Sequence, residues 1–275
     1  MPRATRTVSA YRSDWADFTR WCAPRSEPVL PARPDAIAAY VDEVARTKRF
    51  STAQRRLAAI RAAHLDAGHP VPTAAPVVRA AIARAQWRQR ATVTSTTPLA
   101  VPELRAMSRA LLPTTAGLRD RALLLVGYGA ALRPGELVSL SAGDIALIPA
   151  GLRVRVERGR VVVPFGSARE LCAVAAWKAW RKAAGIDAGP AFRAVDRHGR
   201  VGHGALGEQA VTRIVRRAAA RAGLSSAQYS GLSLRRGTVQ AAAAHGTTDR
   251  GIMAQTGHRS RRLVRRYVGE SVSAR

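Results

Sequence analysis

Between Asp144 and residue 165 the hydrophobic period of this chain changes from helical to alternating, and then changes back. Leu152, Val154 and Val156 interleave with Arg153, Arg155 and Glu157, and an apolar run resumes at Val161 beyond Arg158-Gly159-Arg160. Alternating side chains face opposite sides of a strand, so the pattern predicts a short hairpin, half buried, with a basic outer face. The stretches on either side repeat at helical spacing. The fold class that follows is mainly α with a small antiparallel β-hairpin or sheet.

Before that switch, the N-terminal residues read as a small helical domain. Tyr11, Trp15 and Phe18 fall on one face after Ser9, a residue type suited to capping. Ile37, Tyr40, Val41 and Val44 make a second stripe just after Pro34, and Leu57, Ile60, His64 and Leu65 a third. Ser51 and Gln54 have the spacing of a capping box for that third helix. A fourth is expected at about 74–89, with Val77, Val78, Ala81 and Ile82 inside. Residues 91–98 are small, polar and without period, which places a linker at 93–99 between domains at 1–92 and 100–275. In the second domain, helices are expected at about 102–112, 118–128, 168–184, 207–222, 233–245 and 248–256, with one more around Tyr267.

The charge narrows the partner. Forty-five basic and 18 acidic residues leave a net charge of +27, and all the basic residues except Lys48, Lys178 and Lys182 are arginine. An acidic polymer is the expected partner, because each neutralised phosphate releases condensed counterions. A high-GC genome would also enrich arginine, but it would not create the net charge. Arg55, Arg56 and Arg61 on the third helix, with Arg79, Arg84, Arg88 and Arg90 on the fourth, make DNA-facing candidates; solvated helix faces are the plainer reading. No apolar run reaches the roughly 18–20 residues of a membrane span. The N-terminus lacks the apolar stretch of a secretory signal, and Cys22 and Cys172 are isolated, so a reduced, cytoplasmic, soluble protein is expected.

Chemistry enters near the C-terminus, where Arg235, His258 and Tyr267 follow one another. A phenol can attack a phosphodiester while cationic groups offset the charge that builds on the non-bridging oxygens. Arg236 is adjacent to Arg235, so either could fill the cationic position. His258 could instead bind DNA backbone from a loop, and Tyr267 could be a packing residue.

Taken together, Ala131-Leu132-Arg133-Pro134-Gly135-Glu136-Leu137, Ser233-Leu234-Arg235-Arg236-Gly237, Thr256-Gly257-His258-Arg259-Ser260 and Tyr267 resemble the tyrosine recombinase (phage integrase) family. The resemblance covers nearly the whole chain. It implies that 1–92 is a SAM-like core-binding domain on DNA and 100–275 the catalytic domain. It implies that Arg133 and Arg235 grip the scissile phosphate, that His258 bonds a non-bridging oxygen, and that Glu136 orients Arg133. Tyr267 would be the nucleophile, forming a phosphotyrosyl link and freeing a 5′-hydroxyl. No metal or nucleotide cofactor is implied, and double-stranded DNA would be held by a dimer or tetramer of the chain.

Two positions depart from the family's pattern. Leu232 stands where a histidine, lysine or tyrosine usually precedes the second arginine by three residues. The hairpin contains no lysine, so Arg158 and Arg160 are the substitutes in reach of its turn. A guanidinium neutralises charge but gives up a proton poorly. Only eight residues follow Tyr267, fewer than in relatives that dock a longer extension on a neighbour. Two function classes therefore stand at this point: a recombinase with reduced chemistry, and a non-cutting DNA-binding protein derived from one. A type IB topoisomerase is a lesser variant of the first.

Overall fold

The structure, a computed structural model, describes residues 5–90, 96–258 and 260–269. Residues 91–95 of the expected linker, Arg259, the tail from 270 and the side chain of Arg90 lie outside the described residues. The chain divides into two compact units, Met1–Thr94 and Ser95–Arg275.

The first unit holds α1 (Thr5–Cys22), α2 (Pro34–Thr47), α3 (Phe50–Asp66) and α4 (Pro76–Arg90). Its core joins the stripes read from sequence: Phe18, Ile37, Tyr40, Leu57, Ile60 and Val78 are buried together. His64 is fully buried, and its Nε2 accepts from the Ala32 backbone N–H at 2.9 Å while Nδ1 lies 2.8 Å from Ile60 O. Both expected N-caps are corrected. α1 starts before Ser9, which sits inside the helix, and α3 begins at Phe50 after Arg49 with no side-chain cap. Prolines at the first positions of α2 and α4 set those starts instead, since a fixed φ suits a first helical turn.

The second unit is helical around two small sheets. It contains α5 (Val101–Ala110), α6 (Thr115–Gly129) and α7 (Pro134–Ser139), then β1 (Ile145–Ile148), β2 (Gly151–Val156) and β3 (Gly159–Val163). After these come α8 (Ala173–Ala184), β4 (Arg193–Val195), β5 (Val201–Ala205), α9 (Glu208–Arg221), α10 (Gly231–Ala244), α11 (Asp249–Thr256) and α12 (Arg261–Gly269). α6 is buried over most of its length, with Leu123, Leu124 and Val126 in one core with Trp177 and Trp180 of α8. Among the described residues, no helix is long and apolar enough to cross a membrane.

The hairpin is real but larger than expected. β1 adds an antiparallel third strand, with Ile145 opposite Val154 and Ile148 opposite Gly151. Val156 pairs with Gly159, so the β2–β3 turn is Glu157-Arg158 rather than Arg158-Gly159-Arg160. That register puts Arg160 on β3 opposite Arg155, exposed on the outer face. Further on, α10 starts at Gly231 rather than Ser233, because Ser230 caps it: its Oγ accepts from the Leu232 N–H at 3.2 Å. α10 also packs closely, since a Cβ on Gly237 would lie 2.0 Å from Leu99 O. β4 and β5 form a separate two-stranded sheet that the glycine-rich sequence did not announce.

Candidate active site

The site is built on the turn between α6 and α7. Pro134 and Glu136 make a compact helix start: the Glu136 carboxylate reaches back to accept the Arg133 backbone N–H at 2.7 Å. The same carboxylate accepts from Arg133 Nη1 at 3.0 Å, leaving that side chain 49% exposed and aimed by an anchored partner. Burial would raise the Glu136 carboxyl. The Arg133 N–H and the Arg158 guanidinium outweigh it and hold the group below the usual carboxylate range.

Arg158 arrives from the β2–β3 turn. Its Nη1 donates to Glu136 Oε1 at 2.5 Å and its Nη2 to Ala130 O at 2.8 Å. Gly257 makes room for it: a Cβ there would stand 2.3 Å from Arg158 Cδ, and the backbone is left-handed at φ 68°. Only glycine meets both demands. Arg160, the other expected substitute, shares a shallow surface depression with Asp144, Arg153 and Arg155 and is no part of this cluster.

Arg235 enters from α10 with 1% exposure. Nη1 donates to Ala131 O at 2.7 Å, and Nη2 donates to Thr256 O at 2.6 Å and faces His258 Nε2 at 3.2 Å. Glu136 Oε2 lies 3.8 Å from Nη1. Burial, with Arg133 and Arg158 nearby, lowers the guanidinium to about 10. Of the two adjacent arginines, Arg235 joins the His258 network, whereas Arg236 donates to Thr96 O and lies 5.2 Å above the Tyr267 ring.

His258 is 5% exposed, with Nδ1 2.6 Å from Thr256 Oγ1. Burial and then the positive charges of Arg235, Arg133 and Arg158 push its imidazole down to about 4, so it is neutral at pH 7. Tyr267 packs its ring edge-on against His258, with centroids 5.6 Å apart. α12 is held in place by Val264 in a small core with Val239 and Ile252, and Gln240 Nε2 donates to Tyr267 O at 2.9 Å. A cavity of about 520 Å³ opens over the cluster, lined by Arg133, Glu136, Arg158, His258 and Leu263 among others. Among the described residues, three guanidiniums share one carboxylate around a neutral imidazole, so an entering anion meets uncompensated positive charge.

The sequence-derived set is thus largely brought together: Arg133, Glu136, Arg158, Arg235 and His258 in one network, and Tyr267 against it. Leu232 is half-buried in the first turn of α10, one turn before Arg235, and has no polar atom to offer. Thr256 and Gln240 were missed as contributors. Thr256 lay inside a stretch already singled out, but which way its hydroxyl points is not a sequence property.

The arginines of the first unit behave differently. The Arg56 side chain is 14% exposed, bound to Asp17 at 2.6 Å and to the Tyr40 hydroxyl at 3.2 Å, bracing α3 against α1 and α2. Arg55 is half-exposed and pairs with Asp14 at 2.9 Å; Arg84 and Arg88 share Asp42 at 2.5 and 3.6 Å. Arg61 and Arg79 are exposed.

Comparison with known proteins gives the family. Residues 98–273 match the phage integrase family, and residues 2–65 match the phage integrase N-terminal SAM-like domain. The chain is 31% identical to an integrase/recombinase xerD homolog of Selenomonas ruminantium over 97% of its own length and 82% of the relative's. It is also 31% identical to the tyrosine recombinase XerC of Xanthomonas axonopodis pv. citri, over 80% of this chain and 72% of that one. Among solved structures, a lambda integrase tetramer bound to a Holliday junction matches 97% of this chain and 72% of its own at a TM-score of 0.61 and 17% identity. XerH recombinase bound to a palindromic difH substrate matches 88% and 72% at 0.60 and 15%, which is likeness of fold. On the family match and the full-length relative together, the chain belongs to the phage integrase family, the tyrosine recombinases.

Proposed function

We propose that this chain cleaves and rejoins double-stranded DNA at specific sites through a phosphotyrosyl intermediate, with Tyr267 as the nucleophile. The observation that carries the reading is the contact of His258 with both Arg235 and the Tyr267 ring, beside Arg133 and Glu136. The Tyr267 oxygen bonds to phosphorus while the bond from phosphorus to the departing 5′-oxygen breaks. Arg133, Arg158 and Arg235 offset the charge that develops on the non-bridging oxygens, and His258 bonds one of them. Rejoining reverses the step, because the phosphodiester energy is retained in the phosphotyrosine.

The phenol's proton passes to water and the 5′-oxygen takes one from water, since Leu232 accepts none and Arg158 releases none readily. A positioned acid or base typically contributes about 10²–10⁴-fold, so cleavage is expected to be slow for this chemistry. Several copies, a dimer or tetramer, would act on two DNA sites. Arg61, exposed as Arg79 is, would contact phosphate from the first unit; Arg55, Arg84 and Arg88 would contribute only by leaving their carboxylates. A second reading, a DNA-binding protein that no longer cuts, is favoured by Leu232 and the lysine-free hairpin.

A duplex carrying a candidate recombination site, nicked beside the scissile phosphate, separates the two. A covalent protein–DNA band for the wild type that is missing for Tyr267→Phe supports the enzyme. Tight binding with no band gives the second reading. A band that persists in Tyr267→Phe removes Tyr267 as the nucleophile.

A further inference from the structure

We propose that Thr256 is a positioning residue: its buried hydroxyl fixes His258 in the tautomer protonated on Nδ1 and so presents Nε2 to the scissile phosphate. The inference rests on the function proposed above, but its geometry is independent of it. Thr256 is 1% exposed, at the end of α11, directly before the left-handed Gly257. Its Oγ1 lies 2.6 Å from Ile252 O and 2.6 Å from His258 Nδ1. The hydroxyl has one proton for two neighbours: given to Ile252 O, which can only accept, it leaves the Thr256 oxygen free to accept from Nδ1–H. The far side of the ring demands the same answer. Nε2 faces Arg235 Nη2 at 3.2 Å, and a guanidinium only donates, so Nε2 carries the lone pair.

The two ends of the imidazole therefore agree on one neutral tautomer, and Thr256 supplies one of them. Its main-chain oxygen also accepts from Arg235 Nη2 at 2.6 Å, so a single residue ties the histidine to the arginine. When a phosphate enters among Arg133, Arg158 and Arg235, its negative charge lets Nε2 take up a proton from solvent water, and the Nε2–H then donates to a phosphate oxygen. The Nδ1–H bond to Thr256 survives that change, because imidazolium also donates there. The groups facing the ring are Arg235 from α10, Arg133 and Glu136 from the α7 start, Arg158 from the β-turn and the Tyr267 ring from α12. Without the hydroxyl, the Nε2–H tautomer becomes competitive and turns a proton against the Arg235 donors.

Two variants separate positioning from packing. Thr256→Val keeps the shape and loses the hydrogen bond; Thr256→Ser keeps the hydroxyl. Nitrogen NMR of the free, full-length protein reads the tautomer of His258, its signal assigned by loss in His258→Gln. The expected result is Nδ1–H in the wild type and Thr256→Ser, and a mixture in Thr256→Val. On the nicked substrate, Thr256→Val should cleave about tenfold or more slowly with a displaced pH profile, and Thr256→Ser within about threefold of wild type. A wild-type ring protonated on Nε2 overturns the proposal, and so does a Thr256→Val protein that keeps both the wild-type tautomer and pH profile. If no protein forms an adduct, the proposed function fails, while the ring-nitrogen spectra still decide the role of Thr256.

Discussion

The first unit and the active site use arginine in opposite ways. In the first unit, Arg55, Arg56, Arg84 and Arg88 each lie against an aspartate of α1 or α2, so their charges are neutralised where they stand. In the site, Arg133, Arg158 and Arg235 converge, among the described residues, on the carboxylate of Glu136, and His258 beside them is held neutral. Gathering like charges costs stability, and a fold keeps such a cluster where an anion is to be met. A net charge of +27 is therefore a poor guide to where DNA is gripped. The local ratio of cation to carboxylate is the better one.

The contrast breaks most visibly at Arg235. Arg235→Gln leaves Ala131 O and Thr256 O without their buried donor and, on the proposed function, removes a cation from the transition state. Adduct formation should fall by about 10²–10³-fold, and unfolding in denaturant should show a loss of about 3 kcal/mol. Cleavage that survives within a few-fold would mean the cluster is not the phosphate site. Glu136→Gln should come next, costing about 2 kcal/mol in the same unfolding experiment as the three guanidiniums lose their shared anchor. An unchanged midpoint would show that the carboxylate does not hold them.

The neutral histidine gives a pH signature of defined sign. His258 sits at about 4 in the folded chain against an ordinary 6.5, so the unfolded chain binds the proton first as pH falls. Its contribution to stability is complete above about pH 6.5 and is lost as pH drops toward 4. Thermal melts across that window should show a slope that is smaller in His258→Gln; equal slopes would place the ring in water. In the first unit, Arg56→Gln should cost about 1–3 kcal/mol with little change in cleavage per folded molecule. Arg84→Gln, which breaks an exposed pair, should leave the unfolding midpoint nearly unchanged.

Much of this was legible in the sequence because the informative residues are either periodic or in fixed order. The stripe of Ile37, Tyr40, Val41 and Val44 became core, and Arg133, Arg235, His258 and Tyr267 converged although up to 134 positions separate them. What stayed hidden depends on register and partner choice. Ile145 to Ile148 shows no alternation, so β1 is recognised only by its pairing with β2. Arg158 and Arg160 read alike until the Val156–Gly159 pairing puts one in the turn and the other on the outer face. Asp42 lies 42 residues from Arg84, and nothing local in the chain announces that they meet. Hydroxyl direction, as at Thr256, is fixed by packing alone.

The salt dependence of DNA binding tests the division of charge most directly, compared between Arg133→Gln and Arg84→Gln on one duplex site. Removing one cation that touches a phosphate lowers the slope of log K against log salt by about 1. The expected result is a slope reduced by about 1 in Arg133→Gln and unchanged in Arg84→Gln. A reduced slope in Arg84→Gln with none in Arg133→Gln would contradict the account, because the grip on phosphate would then belong to the paired arginine and not to the site.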